Sequence, residues 1–246
     1  MKPETAFILA AGLGTRMRPL TDAAPKPMLR VGGQTMIDRA LDELATAGVK
    51  RCGVNTHYLA GSLEEHLAAR EDGPEIFLSY EEILLETGGG LKKALDEYPN
   101  VFGEDFFVLS GDSVWQDVPG QNVFEALGRV WNPQEMDILL LLQPVERMVL
   151  THGVGDYDVL PDGRAERRVD KSGAYMFTSI RINSPRIFDG VASGRAFSYL
   201  ELMDAAERAG RLYAMVYEGD WHHISTPEDL ARVNEAWECS DTAARG

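Results

Sequence analysis

The sequence predicts a single α/β domain, a mixed, mostly parallel sheet flanked by helices. Short apolar runs alternate with amphipathic helical stretches through the first half, the pattern of βαβ units with right-handed crossovers. The first apolar run feeds directly into a glycine-rich loop, as a buried strand does on leaving a sheet. At 246 residues and 44% hydrophobic, the chain can bury one core of the larger sort.

Phe7-Ile8-Leu9-Ala10-Ala11 has no polar face and is too short for a helix, so it reads as a buried strand. It runs into Gly12-Leu13-Gly14, where the backbone can bend and let a ligand approach. Loops of this kind can turn backbone N–H groups toward phosphate oxygens. Arg16, Arg18, Lys26 and Arg30 follow, in a chain whose formal net charge is −15. A nucleotide polyphosphate is the expected ligand, and a plain turn with solvated charges is the alternative. The dinucleotide fingerprint is excluded by Met17 at its third glycine and by Pro19 where its helix would run. The P-loop is excluded because its closing Gly-Lys-Ser/Thr is missing.

Gln34 to Ala47 sets Met36, Ile37, Ala40, Leu41 and Leu44 on one helical face and stops at Gly48. Arg51 to Asn55 is a second strand, Gly61 to Ala69 a helix, and Ile76 to Tyr80 a third strand. His57, just past the second strand, is either a site residue or a packed loop histidine. Gly88-Gly89-Gly90 stands before a helical stretch through Leu91, Ala94 and Leu95. Glycines there admit flat or anionic groups to the backbone, or make a flexible loop. Asp105 to Leu109 is a strand ending in Ser110-Gly111-Asp112. A carboxylate at that tip can hold a divalent cation or serve as an ordinary turn aspartate. Asp117 is expected on the surface.

Asp137 to Gln143 is a very apolar strand. Beyond Thr151 the runs shorten, with strands at Asp156 to Leu160 and Ala174 to Ile180 around a Pro161-Asp162-Gly163 turn. Tyr199 to Ala209 is a helix ending at Gly210, and Arg211 to Tyr217 a late strand. A last helix has Thr226 as N-cap and Pro227 at N1. Residues 239–246 are expected to fray.

The acidic balance argues against nucleic acid or an anionic membrane as partner. Cys52 and Cys239 suggest neither a disulfide framework nor a zinc site. The N-terminal stretch lacks the basic region and cleavage site of a signal peptide, and no apolar run approaches the roughly 20 residues that span a bilayer. A cytoplasmic protein is expected. Nothing in the sequence signals an oligomeric state.

Leu-Ala-Ala-Gly-x-Gly-Thr-Arg-Met-x-Pro-Leu-Thr, followed by Pro25-Lys26-Pro27-Met28, resembles the signature of the sugar-1-phosphate nucleotidyltransferases. Those enzymes join a nucleoside triphosphate to a sugar-1-phosphate and release pyrophosphate. The resemblance covers about residues 5–237. It implies a Rossmann-like nucleotidyltransferase fold with residues 1–238 as one catalytic domain. Nucleotide would lie over about 1–118 and sugar phosphate over about 137–238. It implies Leu9, Ala11, Gly12, Gly14 and Thr15 against the nucleotide, and Thr87, Gly88 and Gly89 against the base. Glu86 would face ribose or base, or cap the next helix. Arg16 would hold the β- and γ-phosphates, and Lys26 would bridge the α-phosphate and the sugar phosphate.

Asp112 falls where the family carries a metal-binding aspartate, implying Mg²⁺ or Mn²⁺. Trp221-His222-His223-Ile224-Ser225-Thr226 resembles a segment with a second metal-binding aspartate at the place of His223. His223 is therefore expected at the metal, with a phosphate contact or simple packing as alternatives. Gly155, with Asp156 beside it, resembles a glycine whose backbone meets the sugar. Asp170-Lys171 resembles an acidic-Lys pair that holds sugar and phosphate, or forms a solvated cluster with Arg167 and Arg168. The short length and the Leu85-Glu86-Thr87-Gly88-Gly89-Gly90 loop are most similar to the branch that uses UTP and N-acetylmuramate 1-phosphate in peptidoglycan recycling. A mannose-1-phosphate guanylyltransferase-like enzyme and a non-catalytic nucleotide-sugar sensor are the alternatives.

Overall fold

The computed structural model describes residues 2–244, with side chains as far as Trp237. The first apolar run is strand β1 (Thr5–Leu9). Three single 3-10 turns carry the chain from Thr15 to Met28. A short ribbon of β2 (Arg30–Val31) and β3 (Gln34–Thr35) then leads into α1 (Met36–Thr46). Thr35 caps α1, its hydroxyl accepting the Asp38 N–H at 3.1 Å. Gly48, at φ 76°, ends it as expected. β4 (Arg51–Thr56), α2 (Ala60–Ala68), β5 (Glu75–Tyr80), α3 (Glu86–Glu97) and β6 (Phe106–Ser110) follow. β1 pairs in parallel with β4 and β6, and β4 with β5, so β1 is central.

The second half opens with β7 (Ser113–Gln116), α4 (Val123–Val130) and β8 (Ile138–Pro144). It continues with β9 (Tyr157–Val159), β10 (Ala165–Arg167) and β11 (Tyr175–Asn183). α5 (Leu200–Arg208), β12 (Leu212–Val216), β13 (Asp220–His223) and α6 (Pro227–Ala244) complete it. β11 runs antiparallel between β6 and β8, β12 adds to β8 in parallel, and the β9–β10 hairpin joins one end of β11. The nine-stranded sheet is thus mixed and flanked by helices, as the sequence predicts.

Alternation along β1 divides the core. Ile8 packs with Leu41 and Leu44 of α1, Leu63 of α2 and Phe124 of α4. Phe7 packs on the other face with Leu91 of α3 and Met203 of α5. Each fully buried side chain of this size contributes about 1.5–3 kcal/mol, so the two faces hold the strands in register. α6 closes over the β2–β3 ribbon through Val31, Val233 and Trp237, with the Arg39 guanidinium 4.8 Å from the Trp237 ring. Its start is capped as expected. Thr226 Oγ1 accepts the Asp229 N–H at 3.2 Å, and Asp229 returns a carboxylate to the Ser225 and Thr226 amides.

Several elements depart from expectation. β2–β3, β7, α4 and β13 are too short or too mixed in composition to stand out by periodicity. α3 begins at Glu86, so the three glycines lie inside its first turns and not in a loop before it. α6 runs Pro227–Ala244, and Arg245 and Gly246 of the tail expected to fray lie outside the described residues. Among the described residues no helix is long and apolar enough to cross a membrane.

Candidate active site

The carboxyl ends of β1, β4 and β6 open onto one cavity of about 520 Å³, where parallel strands conventionally present ligand-binding loops. Leu9 to Met17 line it without a break, joined by Lys26, Asn55, Glu81, Ser110 and Asp112. Of the residues expected to hold nucleotide, Leu9, Ala11, Gly12, Gly14, Thr15 and Thr87 line it, as does Arg16.

The signature folds back on itself. Gly14 takes φ 62°, and the Thr21 hydroxyl donates to its carbonyl at 2.9 Å. A Cβ at Gly14 would sit 3.0 Å from Thr21 Cγ2, so glycine is required by both conformation and space. The Tyr58 hydroxyl fixes the Thr21 carbonyl at 2.9 Å. Pro25 and Pro27 bracket Lys26, which starts a 3-10 turn and is 9% exposed. Its ammonium reaches the Asp112 carboxylate, whose other oxygen accepts the Ser110 hydroxyl. Burial opposes ionisation of Asp112. The charge and hydrogen bond of Lys26, the Ser110 hydroxyl and the His223 ring outweigh it and hold the carboxyl below its ordinary range. A cation and an anion therefore face each other at the cavity wall.

Asn55 and Glu81 were not anticipated. Asn55 Oδ1 accepts the Ala10 N–H at 2.6 Å, and its Nδ2 donates to Glu81 Oε1 at 2.7 Å. Glu81 Oε2 accepts the Leu85 N–H at 2.9 Å. This buried chain ties the end of β1 to Leu85, the residue before Glu86 and Thr87 open α3. Both residues sit at or just past strand ends, the signal that could have found them. His57 follows its packed reading, with Nδ1 2.7 Å from the Glu81 carbonyl. Asp117 is half-buried and not a surface residue, since it accepts the Tyr217 hydroxyl at 2.7 Å and the Val123 N–H at 3.1 Å.

Gly88 and Gly89 do not line the cavity. Both amides donate to the Phe197 carbonyl, at 2.9 and 3.2 Å. A Cβ on Gly88 would lie 2.4 Å from the Phe197 ring, and one on Gly89 2.3 Å from the Arg195 carbonyl oxygen. A Cβ on Gly90 would lie 2.3 Å from Glu81 Oε1. Glycine inside a helix costs up to about 1 kcal/mol each, a cost accepted here for close packing of α3 on the 195–197 segment. Glu86 lines the cavity at φ 59°, and Thr87 Oγ1 accepts the Tyr199 N–H at 2.9 Å.

Gly155, Asp156 and Lys171 also lie off the cavity lining. Gly155 bridges to Ser172, and a Cβ there would meet the Gly173 carbonyl. Lys171 pairs with Asp156, while Asp170 accepts the Ser172 hydroxyl at 2.8 Å. Arg167 pairs with Asp204, and Arg168 with Asp158 and Glu166. These charges are engaged with neighbouring carboxylates, Arg167 with Asp204 of α5, and Asp170–Lys171 do not pair with Arg167 or Arg168 as ion pairs. Asp156 touches the site only through the N–H of Phe177, a lining residue, at 3.3 Å.

His223 sits on β13 opposite Ser113 of β7, the residue after Asp112. Its ring stacks on Trp221 at 5.8 Å between centroids. Burial pulls its pKa down. Asp112 and Asp229 push it up, and Lys26 and Arg16 push it down, with burial prevailing. A neutral imidazole therefore lies in the electrostatic neighbourhood of Asp112 without lining the cavity. Among the described residues no cluster of three or more His, Cys, Asp or Glu forms a ready cation cage.

The sequence profile of the nucleotidyl transferase family matches residues 5–149, more than half of the chain. The chain belongs to that family. Among nucleotidyl transferases it is 37% identical over 232 residues to an N-acetylmuramate alpha-1-phosphate uridylyltransferase of Caulobacter vibrioides, spanning 92% of this chain and 93% of the relative. It is 30% identical to mannose-1-phosphate guanyltransferase beta-A of Xenopus laevis, over 92% of this chain but 62% of that longer protein. Its fold matches UDP-glucose pyrophosphorylase from Acinetobacter baumanii with a TM-score of 0.78 at 17% identity, over 98% and 94% of the two chains.

Proposed function

We propose that this nucleotidyl transferase moves UMP from UTP to N-acetylmuramate 1-phosphate and releases pyrophosphate. The observation that carries the reading is the 37% identity, over nearly the full length of both chains, to an uridylyltransferase for that sugar phosphate. The lining of the cavity by Arg16, Lys26 and Asp112 together supports it. An oxygen of the sugar phosphate attacks the α-phosphorus in line. One P–O bond forms and the bond to pyrophosphate breaks. The attacking oxygen is already anionic, so no protein nucleophile or strong base is needed. The protein's work is to bring two anions together and to offset charge on the leaving group. The 12–16 loop and Arg16 take the β- and γ-phosphates. Lys26 leaves Asp112 to bridge the α-phosphate and the sugar phosphate.

A divalent cation fits the donors present. Asp112 offers a hard carboxylate oxygen at the cavity wall, and Mg²⁺ commonly takes one or two carboxylates with substrate phosphates as its other ligands. Asp112 would hold it, with His223 as the second candidate, and the ion supplies neutralisation of phosphate charge when bound. The acidic chain, without a membrane-spanning helix among its described residues, fits a cytoplasmic enzyme of cell-wall recycling that binds neither nucleic acid nor membrane. Guanylyl transfer to mannose 1-phosphate is the second reading, favoured by mannose-1-phosphate guanyltransferase relatives at 29–32% identity. Pyrophosphate release from UTP, GTP, CTP and dTTP, each with several sugar-1-phosphates, separates the two. UTP with N-acetylmuramate 1-phosphate is expected to give the highest kcat/KM, and a preference for GTP with mannose 1-phosphate would overturn the proposal.

A further inference from the structure

Arg181 lies on β11, lines the cavity, and is 2% exposed. Its Nε and Nη2 have no hydrogen-bond partner by geometry, while Nη1 reaches the Ser179 carbonyl at 3.3 Å and the Tyr199 side chain is its other polar neighbour. Its neighbours are rings. The guanidinium carbon is 3.7 Å from the Tyr199 centroid and 5.9 Å from that of Phe177. The carboxylates of α5 and the β9–β10 hairpin are engaged elsewhere, Asp204 with Arg167 and Asp158 with Arg168. An arginine buried to this degree normally meets a carboxylate, and this one meets none.

The backbone around it is shaped to the cavity. β11 slips in register against β8 between Phe177 and Arg181, and Ser179 within the slip takes φ 69°, a conformation disfavoured for any residue with a side chain. Phe177, Ser179 and Arg181 all line the cavity as a result. A guanidinium held over an aromatic ring, with two donors lacking partners, is suited to an anion with two oxygens in one plane. The triphosphate has its own cations in Arg16 and Lys26 on the β1 side. We propose that Arg181 receives an anionic group of the acceptor sugar, either a carboxylate or the 1-phosphate. This rests on the reading above, in which a sugar phosphate occupies the second half of the cavity. N-acetylmuramate 1-phosphate offers both groups, a lactyl carboxylate and a phosphate.

The test compares wild type, Arg181→Lys and Arg181→Met with UTP and two acceptors, N-acetylmuramate 1-phosphate and N-acetylglucosamine 1-phosphate, which lacks the carboxylate. Calorimetric Kd values of the same acceptors cover pairs too slow to assay. Wild type that uses no sugar-1-phosphate at all would refute the functional reading, independently of Arg181. With wild type active, Arg181→Met is expected to lower kcat/KM or affinity for N-acetylmuramate 1-phosphate by at least about tenfold, with Arg181→Lys intermediate and the KM for UTP within about twofold. A loss confined to N-acetylmuramate 1-phosphate assigns Arg181 to the carboxylate, and an equal loss with both acceptors assigns it to the phosphate. Should Arg181→Met fail to fold, Arg181→Lys decides with the same readouts. Acceptor parameters equal to wild type, or UTP and acceptor parameters falling together, would overturn the proposal.

Discussion

On the β1 side of the cavity the buried polar groups are partnered, while Arg16 stands exposed at its mouth. Lys26 meets Asp112, and Asn55 joins Ala10 to Glu81. On the β11 side the arrangement is reversed. Lys171, Arg167 and Arg168 pair outward, away from the cavity lining, and the cavity-lining Arg181 meets rings and the Ser179 carbonyl but no carboxylate. The difference follows from strand direction. Parallel β1, β4 and β6 deliver their carboxyl ends to one place, so their tips can be wired to one another. Antiparallel β11 presents its face in mid-strand and reaches the cavity through an irregularity. One side holds its catalytic groups poised through internal contacts that substrate must exchange. The other keeps a buried cation without a carboxylate.

Breaking the wired side at its centre should have the largest effect. Lys26→Ala is expected to lower kcat about a hundredfold, corresponding to roughly 3 kcal/mol of transition-state charge stabilisation. The melting temperature should stay within a few degrees, because Lys26 sits on a turn at the cavity wall. Unchanged turnover would remove Lys26 from the mechanism and with it the idea that its contact with Asp112 is exchanged for substrate.

Asp112→Asn should come next. The amide keeps the shape and loses the charge that holds a hard cation, so metal affinity and rate should fall together by roughly tenfold or more. Titration of Mg²⁺ or Mn²⁺ against initial rate checks this. Full activity of the wild-type protein in excess chelator would show that Asp112 serves only as the partner of Lys26.

The boundary between the two sides can be probed at Gly89. Its replacement by Ala drives a Cβ to 2.3 Å from the Arg195 carbonyl oxygen, and backbone cannot swing aside as a side chain can. Destabilisation of about 1–3 kcal/mol is expected from such overpacking, read in a denaturant melt. Weaker UTP binding with unchanged stability would instead return Gly89 to the base-binding role that its position in the chain suggests.

The wired side was also the more legible one. Arg16, Lys26 and Asp112 lie within local patterns, a strand feeding a glycine loop and a strand ending in Gly-Asp, and the cavity gathers them. Asn55 and Glu81 escaped because their importance depends on two loops meeting, which no local pattern records. The glycine triplet was visible, but its reason was not, since the 195–197 segment that packs on it lies about a hundred residues away. On the acceptor side the cations of 156–171 stand out in the sequence and turn out to be engaged with neighbouring carboxylates. Arg181 was hidden inside an apolar run, where a lone cation reads as an interruption of a strand.

His223 stands beside the Asp112 end of the wired side, and it offers the smallest and most informative effect. β13 brings it back beside β7, opposite Ser113 and one residue from Asp112 in the facing strand. Burial keeps the ring on the neutral side, and neutral imidazole suits Mn²⁺, Co²⁺ or Zn²⁺ better than Mg²⁺, which prefers oxygen. If the ring ligates the ion, His223→Asp supplies an oxygen in its place. The Mg²⁺-supported rate should then rise relative to the Mn²⁺-supported rate by a few-fold. His223→Ala separates this from packing, because it removes both the nitrogen and the stack on Trp221. A ligand loses metal preference in both variants. A packing residue leaves the Mg²⁺-to-Mn²⁺ ratio unchanged in both and lowers the melting temperature of both, and that outcome would leave Asp112 as the one protein carboxylate at the metal.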